Sequence, residues 1–199
     1  MKVKQLIILN RNDAITKLSK YKLHKLSREK RISLLLNWWC FDDYDPKFEL
    51  LPESLKQEIL SSDEPMRDVM DERYNPLLIE ALKHTFVGVK NEYLSNQITQ
   101  IQRNDITVDG EEEKLMACPC FEYENLSERD QYEICPVCFW EDDGNDDTTR
   151  YSPPNHLTLA EARENFKKVR AETKEPLRFI EPDAKSRYYK TPKSNKRSD

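Results

Sequence analysis

Glycine is scarce in this chain, since only three of its 199 residues are glycine. A phosphate-cradling loop and a turn-dense all-β fold both depend on glycine, so this scarcity argues against both. Long apolar runs are missing too, and no stretch approaches the roughly 20 residues that span a bilayer. The apolar run at residues 6–9 is too short for the core of a signal peptide. We therefore expect a cytoplasmic protein with no membrane partner.

Positive charge is in deficit, because the formal net charge is −5. This balance disfavours a general affinity for nucleic acid phosphates. The charge is unevenly distributed: residues 111–147 are strongly acidic, whereas residues 185–197 are basic. An acidic face suits a basic partner, although charge runs are often simple solvated surface.

Helix-start signals recur in the first half of the chain. Ser27 is a typical N-cap before the apolar residues 32–39, and Pro52 and Asn75-Pro76 each precede further apolar periodicity. Residues 91–101 predict another helix. We interpret residues 1–110 as a helical N-terminal domain. Cys40, beside two tryptophans, is predicted to lie in its core.

Two cysteine pairs carry the strongest local signal. They are Cys118-Pro119-Cys120 and Cys135-Pro136-Val137-Cys138. Two turns of this kind can direct their thiolates at one metal ion, and four sulfurs in a tetrahedron suit zinc. The C-x-C spacing of the first pair is tighter than usual. The predicted ligands of one zinc ion are therefore Cys118, Cys120, Cys135 and Cys138, with His156 as an alternate ligand.

Other uses of these cysteines stay open at this stage. A C-x-x-C pair can exchange disulfides, but no βαβ pattern of the thioredoxin type surrounds this one. A metal-free module is the remaining alternative. Thr158 and Glu161 form a capping box for a helix that packs over the knuckles through Leu159, Ala162 and Phe166.

The expected fold class is α+β: a mainly α-helical N-terminal part, then a small zinc-knuckle or ribbon-like module with its packing helix. The module occupies residues 111–180, and residues 181–199 are expected to be a basic, flexible tail.

Three blocks, in order, resemble the bacterial cysteine-rich CPCC family. They are Cys118-Pro119-Cys120, the segment Tyr132-Glu133-Ile134-Cys135-Pro136-Val137-Cys138-Phe139-Trp140-Glu141-Asp142-Asp143, and residues 155–166. Phe121 stands where the family pattern has a cysteine, and Glu122 stands where it has a glycine. Either Cys120 takes over the lost ligand position, or the module folds by hydrophobic packing alone.

The resemblance implies a small intracellular protein, and some members lie beside secreted polymorphic toxins. We therefore expect an immunity or inhibitor protein that binds and neutralises a cognate toxin, with a basic nuclease domain as one candidate. The residues expected to bind this partner are Glu141, Asp142, Asp143, Asp146 and Asp147. The alternative is a zinc-ribbon protein that binds nucleic acid or has a regulatory function. The three histidines lie in separate contexts without a paired nucleophile, so we expect no catalytic residues and no enzyme activity.

Overall fold

The computed structural model describes residues 6–40, 44–169, 171 and 179–191. These residues divide into two compact units. The N-terminal unit comprises described residues within 1–87 and 94–110, and the C-terminal unit comprises those within 88–93 and 111–199. None of the helices in the described ranges combines the length and the apolarity needed to cross a lipid bilayer.

Helices make up most of the N-terminal unit. In chain order its elements are β1 (Ile7–Asn10), α1 (Arg11–Leu23), α2 (Arg28–Trp39), α3 (Glu53–Ser61), α4 (Asn75–His84), α5 (Asn91–Gln102, from residue 94 on) and β2 (Ile106–Asp109). The predicted start signals are confirmed. The Ser27 hydroxyl accepts from the Lys30 amide at 3.3 Å, and proline stands at the beginning of α3 and α4.

The core of this unit depends on helix periodicity. Leu35 and Trp39, four residues apart on α2, are 0% and 2% exposed and pack with apolar side chains of α3 and α4. Leu36, which helical rotation places to one side of this face, is 49% exposed, so α2 is amphipathic. The prediction for Cys40 was wrong, because this residue is exposed at the C-cap of α2. Helical rotation turns it away from the buried face that Trp39 shares.

A parallel pair of strands, which the sequence did not reveal, joins the two ends of the N-terminal unit. Ile7 of β1 lies opposite Ile106 of β2. Two hydroxyls of α5 bond to β2: Ser95 accepts from the Val108 amide at 2.8 Å, and Thr99 accepts from the Ile106 amide at 3.1 Å. Strands about a hundred residues apart leave no local signature of their pairing, so periodicity could not find them.

Short strands and two helices build the C-terminal unit. They are β3 (Met116–Ala117), β4 (Glu124–Leu126), β5 (Tyr151–Ser152), β6 (Leu157–Thr158), α6 (Leu159–Val169) and α7 (Ala184–Arg187). The expected α+β class is confirmed. The capping box also forms, because the Thr158 amide donates to Glu161 at 2.8 Å and the Glu161 amide donates back to Thr158 at 3.2 Å.

The segment from residue 181 differs from the expected flexible tail as far as it is described. After α7, the Glu124 amide donates to the Tyr189 carbonyl at 2.9 Å, and the Thr191 amide donates to the Glu122 carbonyl at 2.8 Å. Residues 189–191 therefore lie antiparallel beside β4 and satisfy main-chain groups at its edge. Residues 192–199, which belong to the same prediction, lie outside the described residues.

Candidate metal centre

Two turns with the same hydrogen-bond pattern form the centre of the C-terminal unit. In the first, knuckle one (residues 118–123), the Glu122 amide donates to the Cys118 carbonyl at 2.8 Å, and the Cys118 amide donates to the Tyr123 carbonyl at 2.9 Å. Knuckle two (residues 135–140) repeats both bonds: Phe139 to Cys135 and Cys135 to Trp140, each at 2.8 Å. The two turns are therefore equivalent, residue by residue.

This equivalence assigns each side chain a counterpart. Cys118 corresponds to Cys135, whereas Phe121 occupies the position that Cys138 holds in knuckle two. Glu122 and Phe139 share the next position, with left-handed φ angles of 63° and 70°. Glycine adopts such angles without steric cost, so each of these residues is held in a conformation that its side chain disfavours.

Three buried thiols converge between the knuckles. The sulfurs of Cys118, Cys135 and Cys138 all lie within 4.8 Å of one another. The Cys118 Sγ to Cys138 Sγ distance is 3.6 Å. A tetrahedral ion with metal–sulfur bonds of about 2.3 Å would separate its sulfurs by about 3.8 Å. The spacing of this trio therefore fits a metal ion that binds thiolates.

The environment separates the three thiols in acidity. Burial opposes ionisation of Cys135, but hydrogen bonds from the Cys118 and Cys138 thiols and from two backbone amides of knuckle two hold its pKa well below the ordinary value. The hydrogen bond to Cys135 raises the pKa of Cys118, and burial raises the pKa of Cys138. The Asn125 Nδ2 group also donates to the Cys135 sulfur at 3.3 Å.

The other two predicted ligands lie outside the trio. Cys120 is buried, but its sulfur is not among the three that are mutually close. His156 is exposed, and its Nδ1 atom lies 3.4 Å from the Tyr151 hydroxyl. A left-handed φ of 57° at His156 places this residue in a surface turn before β6. The prediction of His156 as an alternate ligand was therefore wrong, because its side chain lies at the surface and away from the thiol trio.

Asp142, predicted to bind a partner, is fully buried instead. Its Oδ2 atom accepts from Arg129 Nε at 2.8 Å and from the Asp130 amide at 2.9 Å. A carboxylate enclosed in this way stabilises the loop before knuckle two and has no surface to offer a partner. The sequence alone could not distinguish Asp142 from the neighbouring carboxylates, because its burial accompanies a contact with Arg129, which lies 13 residues earlier in the chain.

The remaining acidic candidates lie at or near the surface. Asp146 is exposed and pairs with Arg129 at 2.9 Å, while exposed Asp147 accepts from the Thr149 amide at 2.8 Å. Glu141 and Asp143 are half-buried. Most of these carboxylates therefore have local structural contacts in addition to their charge.

Three side chains that support the knuckles were not singled out by sequence reasoning. Arg163 of α6 donates to the Pro119 carbonyl at 2.7 Å and to the Cys120 carbonyl at 3.2 Å. Asn155 accepts from the Glu141 amide and donates to its carbonyl, both at 2.8 Å. Asn125 bonds to Cys135 as described. Asn155 and Arg163 both lie in the third block of the sequence pattern, which could have identified them as supports.

Taken together, these contacts define a small α+β module with paired knuckles and three buried cysteines close enough to hold a metal ion. Residues 116–186 match the family model described as cysteine-rich CPCC, so the resemblance noted in the sequence is confirmed and extends to α7. No curated protein and no solved structure matches the chain significantly.

Proposed function

We propose that this chain is a non-catalytic binding protein: an immunity or inhibitor protein that neutralises a cognate toxin by direct contact. The observation that carries the proposal is the burial of the thiol trio, since Cys135 and Cys138 are both 0% exposed. A catalytic metal keeps a coordination position open to substrate, whereas a structural metal is enclosed. The centre therefore suits a structural role, and function falls to the surface of the module.

Zinc is the ion that we propose for this centre. It prefers thiolate ligands in a tetrahedron and has no redox chemistry of its own. Its binding free energy, about 10–16 kcal/mol in small zinc modules, contributes directly to folding. In this proposal the protein acts in the cytoplasm, where a reducing environment keeps its cysteines as thiols.

The partner in this proposal is a basic toxin domain, held by the acidic loop after knuckle two. Asp146 and Asp147 are its most exposed carboxylates, with Glu141 and Asp143 beside them in the chain. Complementary charge speeds association and selects among partners. Family resemblance supports the toxin as the partner, because some members of the family lie beside secreted toxins.

The test is an affinity purification of the tagged protein from its own cells, with and without nuclease, read by mass spectrometry. We expect a stoichiometric, nuclease-resistant partner that carries a toxin domain. The double variant D146K/D147K should weaken its capture at least tenfold. The matched control D63K/E64K makes the same charge change at exposed positions of the N-terminal unit and should leave capture unchanged. Equal capture by both variants would remove the acidic loop from the proposal.

A second candidate, nucleic acid binding, is favoured by one specific observation. A groove of about 410 Å³ between α6 and knuckle one is lined by the cations Arg163, Lys167 and Lys190 and also by two acidic residues, Glu122 and Glu164. Two of these cations, Arg163 and Lys190, carry the observation. Neither cation has a carboxylate partner among the described residues, since Arg163 binds carbonyls and Lys190 lies over the rings of Phe121 and Tyr123. Cations of this kind can contact phosphates.

Nuclease sensitivity and the response to K190E separate the two candidates. A nucleic-acid-binding protein would be recovered with nucleoprotein that nuclease removes, and its affinity would fall steeply with salt. The variant K190E should then weaken binding. We expect instead that any binding of nucleic acid shows a flat salt dependence, and that K190E has no effect on capture of the toxin.

A further inference from the structure

Knuckle equivalence shows that the metal centre is one ligand short. Two complete knuckles would supply four thiolates, from positions 118, 121, 135 and 138. Only three of these positions are cysteine, because Phe121 fills the fourth. A tetrahedral thiolate site needs a fourth donor.

Phe121 itself is committed to other contacts. Its ring centroid lies 3.9 Å from that of Phe166 in α6, and the Lys190 ammonium lies 5.3 Å from the ring centre. Aromatic pairing and a cation over the ring hold this side chain against the helix. The position equivalent to Cys138 has thus become a packing contact between knuckle one and α6.

Oxygen and nitrogen donors do not fill the gap. Among the described residues, the three sulfurs of Cys118, Cys135 and Cys138 all lie within 4.8 Å of one another, and no histidine or carboxylate joins this group. His156 is exposed, and Asp142 is held by Arg129. These contacts leave no neighbouring carboxylate or imidazole in position.

Cys120 is different, because it is 3% exposed and follows Cys118 by two residues in the knuckle that lacks a second ligand, although its sulfur is not one of the three that all lie within 4.8 Å of one another. The equivalent position in knuckle two is Val137, an apolar side chain that is 1% exposed. The fold of the turn therefore does not require a thiol at this position. At this position the two knuckles therefore differ chemically: knuckle one has a thiol where knuckle two has the methyl groups of valine.

We propose that Cys120 supplies the fourth thiolate of the metal centre, one residue earlier than the position used in knuckle two. Knuckle one therefore binds through a C-x-C pair, and Phe121 is free to pack on α6. This inference rests on the proposed metal centre and adds the identity of the ligand that closes it.

Cobalt(II) titration of the full chain tests it, because the intensity of the sulfur-to-cobalt charge-transfer band rises with the number of thiolates. We expect a four-thiolate spectrum for the native chain and a three-thiolate spectrum for C120A. Competition with a chelator should show about 100-fold weaker zinc binding by C120A, since the affinity of a structural site is shared among its ligands. The matched control V137A changes the equivalent position of knuckle two and should keep the native spectrum.

A rescue variant makes the assignment stricter. In the C120A background, F121C places a thiol at the position equivalent to Cys138 and should restore the four-thiolate spectrum. A native chain with the same spectrum as C120A would overturn the role of Cys120 but leave the three-cysteine centre intact. A native chain that binds no cobalt or zinc at all would overturn the metal centre, and the inference with it.

Discussion

The two units of this protein reach a buried interior by different means. In the N-terminal unit, buried leucines and aromatics from several helices pack into one apolar cluster. In the C-terminal unit, strands of two or three residues surround a thiol centre, and the buried side chains include four cysteines. Short strands cannot bury enough apolar surface to be stable by themselves. From this difference we expect the stability of the C-terminal unit to depend on its thiol centre, and that of the N-terminal unit to depend on the packing of its helix faces.

Buried charge shows the same contrast. Glu58 in the N-terminal unit accepts from the Tyr74 hydroxyl at 2.6 Å, from the Met66 amide at 3.0 Å and from Arg73 at 2.9 Å. It thereby fastens the segment between α3 and α4 to an already apolar core. Asp142 in the C-terminal unit instead organises a loop that leads into knuckle two. Polar groups support a core in one unit and help to build the site in the other.

Metal removal should separate the two units most strongly. If zinc contributes to the C-terminal unit alone, a strong chelator under reducing conditions removes about 10–16 kcal/mol of binding free energy from that unit. We expect amide hydrogen exchange in residues 116–141 to become fast, while α2 and α4 stay protected. Mass spectrometry of peptic fragments measures both regions in one sample.

Addition of zinc to the chelated protein is the control, and it should restore protection. Retained protection of residues 116–141 without metal would mean that hydrophobic packing, including Phe121 on Phe166, holds the module. Independent folding of the two units is a prediction. Loss of protection in both regions would contradict it.

The variant E58Q should weaken the N-terminal unit by about 1–3 kcal/mol at pH 7, because hydrogen bonds to a charged group are among the stronger ones. Burial opposes ionisation of Glu58, but Tyr74, Met66 and Arg73 lower its pKa below the ordinary value. A carboxyl with a lowered folded pKa stabilises above its unfolded pKa of about 4.3, and this contribution is lost as pH falls.

Urea unfolding at a series of pH values, followed by a signal from α2 and α4, measures the free energy of unfolding of the N-terminal unit. The difference between E58Q and the native chain should shrink as pH drops below about 4. A difference that does not change with pH would assign the role of Glu58 to shape rather than charge. As a control, E58Q should bind the same number of metal ions as the native chain at neutral pH.

The smallest effect is expected from C40S. Because Cys40 is exposed at the end of α2, its replacement should change the free energy of unfolding by less than about 0.5 kcal/mol and leave metal binding unchanged. Thermal unfolding and metal analysis measure both. A loss of several kcal/mol would place Cys40 in the core after all, and lost metal would make it a ligand.

Sequence patterns located most helices because their signals are local. Ser27, Pro52 and Pro76 mark helix starts through backbone groups a few residues away, and the Thr158–Glu161 box works in the same way. Pairing of β1 with β2 was missed, because its partners are about a hundred residues apart. Contacts of that range have no periodic signature.

The chain's own residues determined that two knuckles face a shared centre, since Cys118, Cys135 and Cys138 stand at fixed offsets within similar turns. Only the tertiary structure decided which of the predicted side chains lie close to that centre. It placed His156 at the surface, enclosed Asp142 beside Arg129, and left buried Cys120 outside the group of three mutually close sulfurs. The physical reason is that spacing fixes the geometry of a single turn, whereas burial and proximity depend on contacts between segments that are distant in the chain.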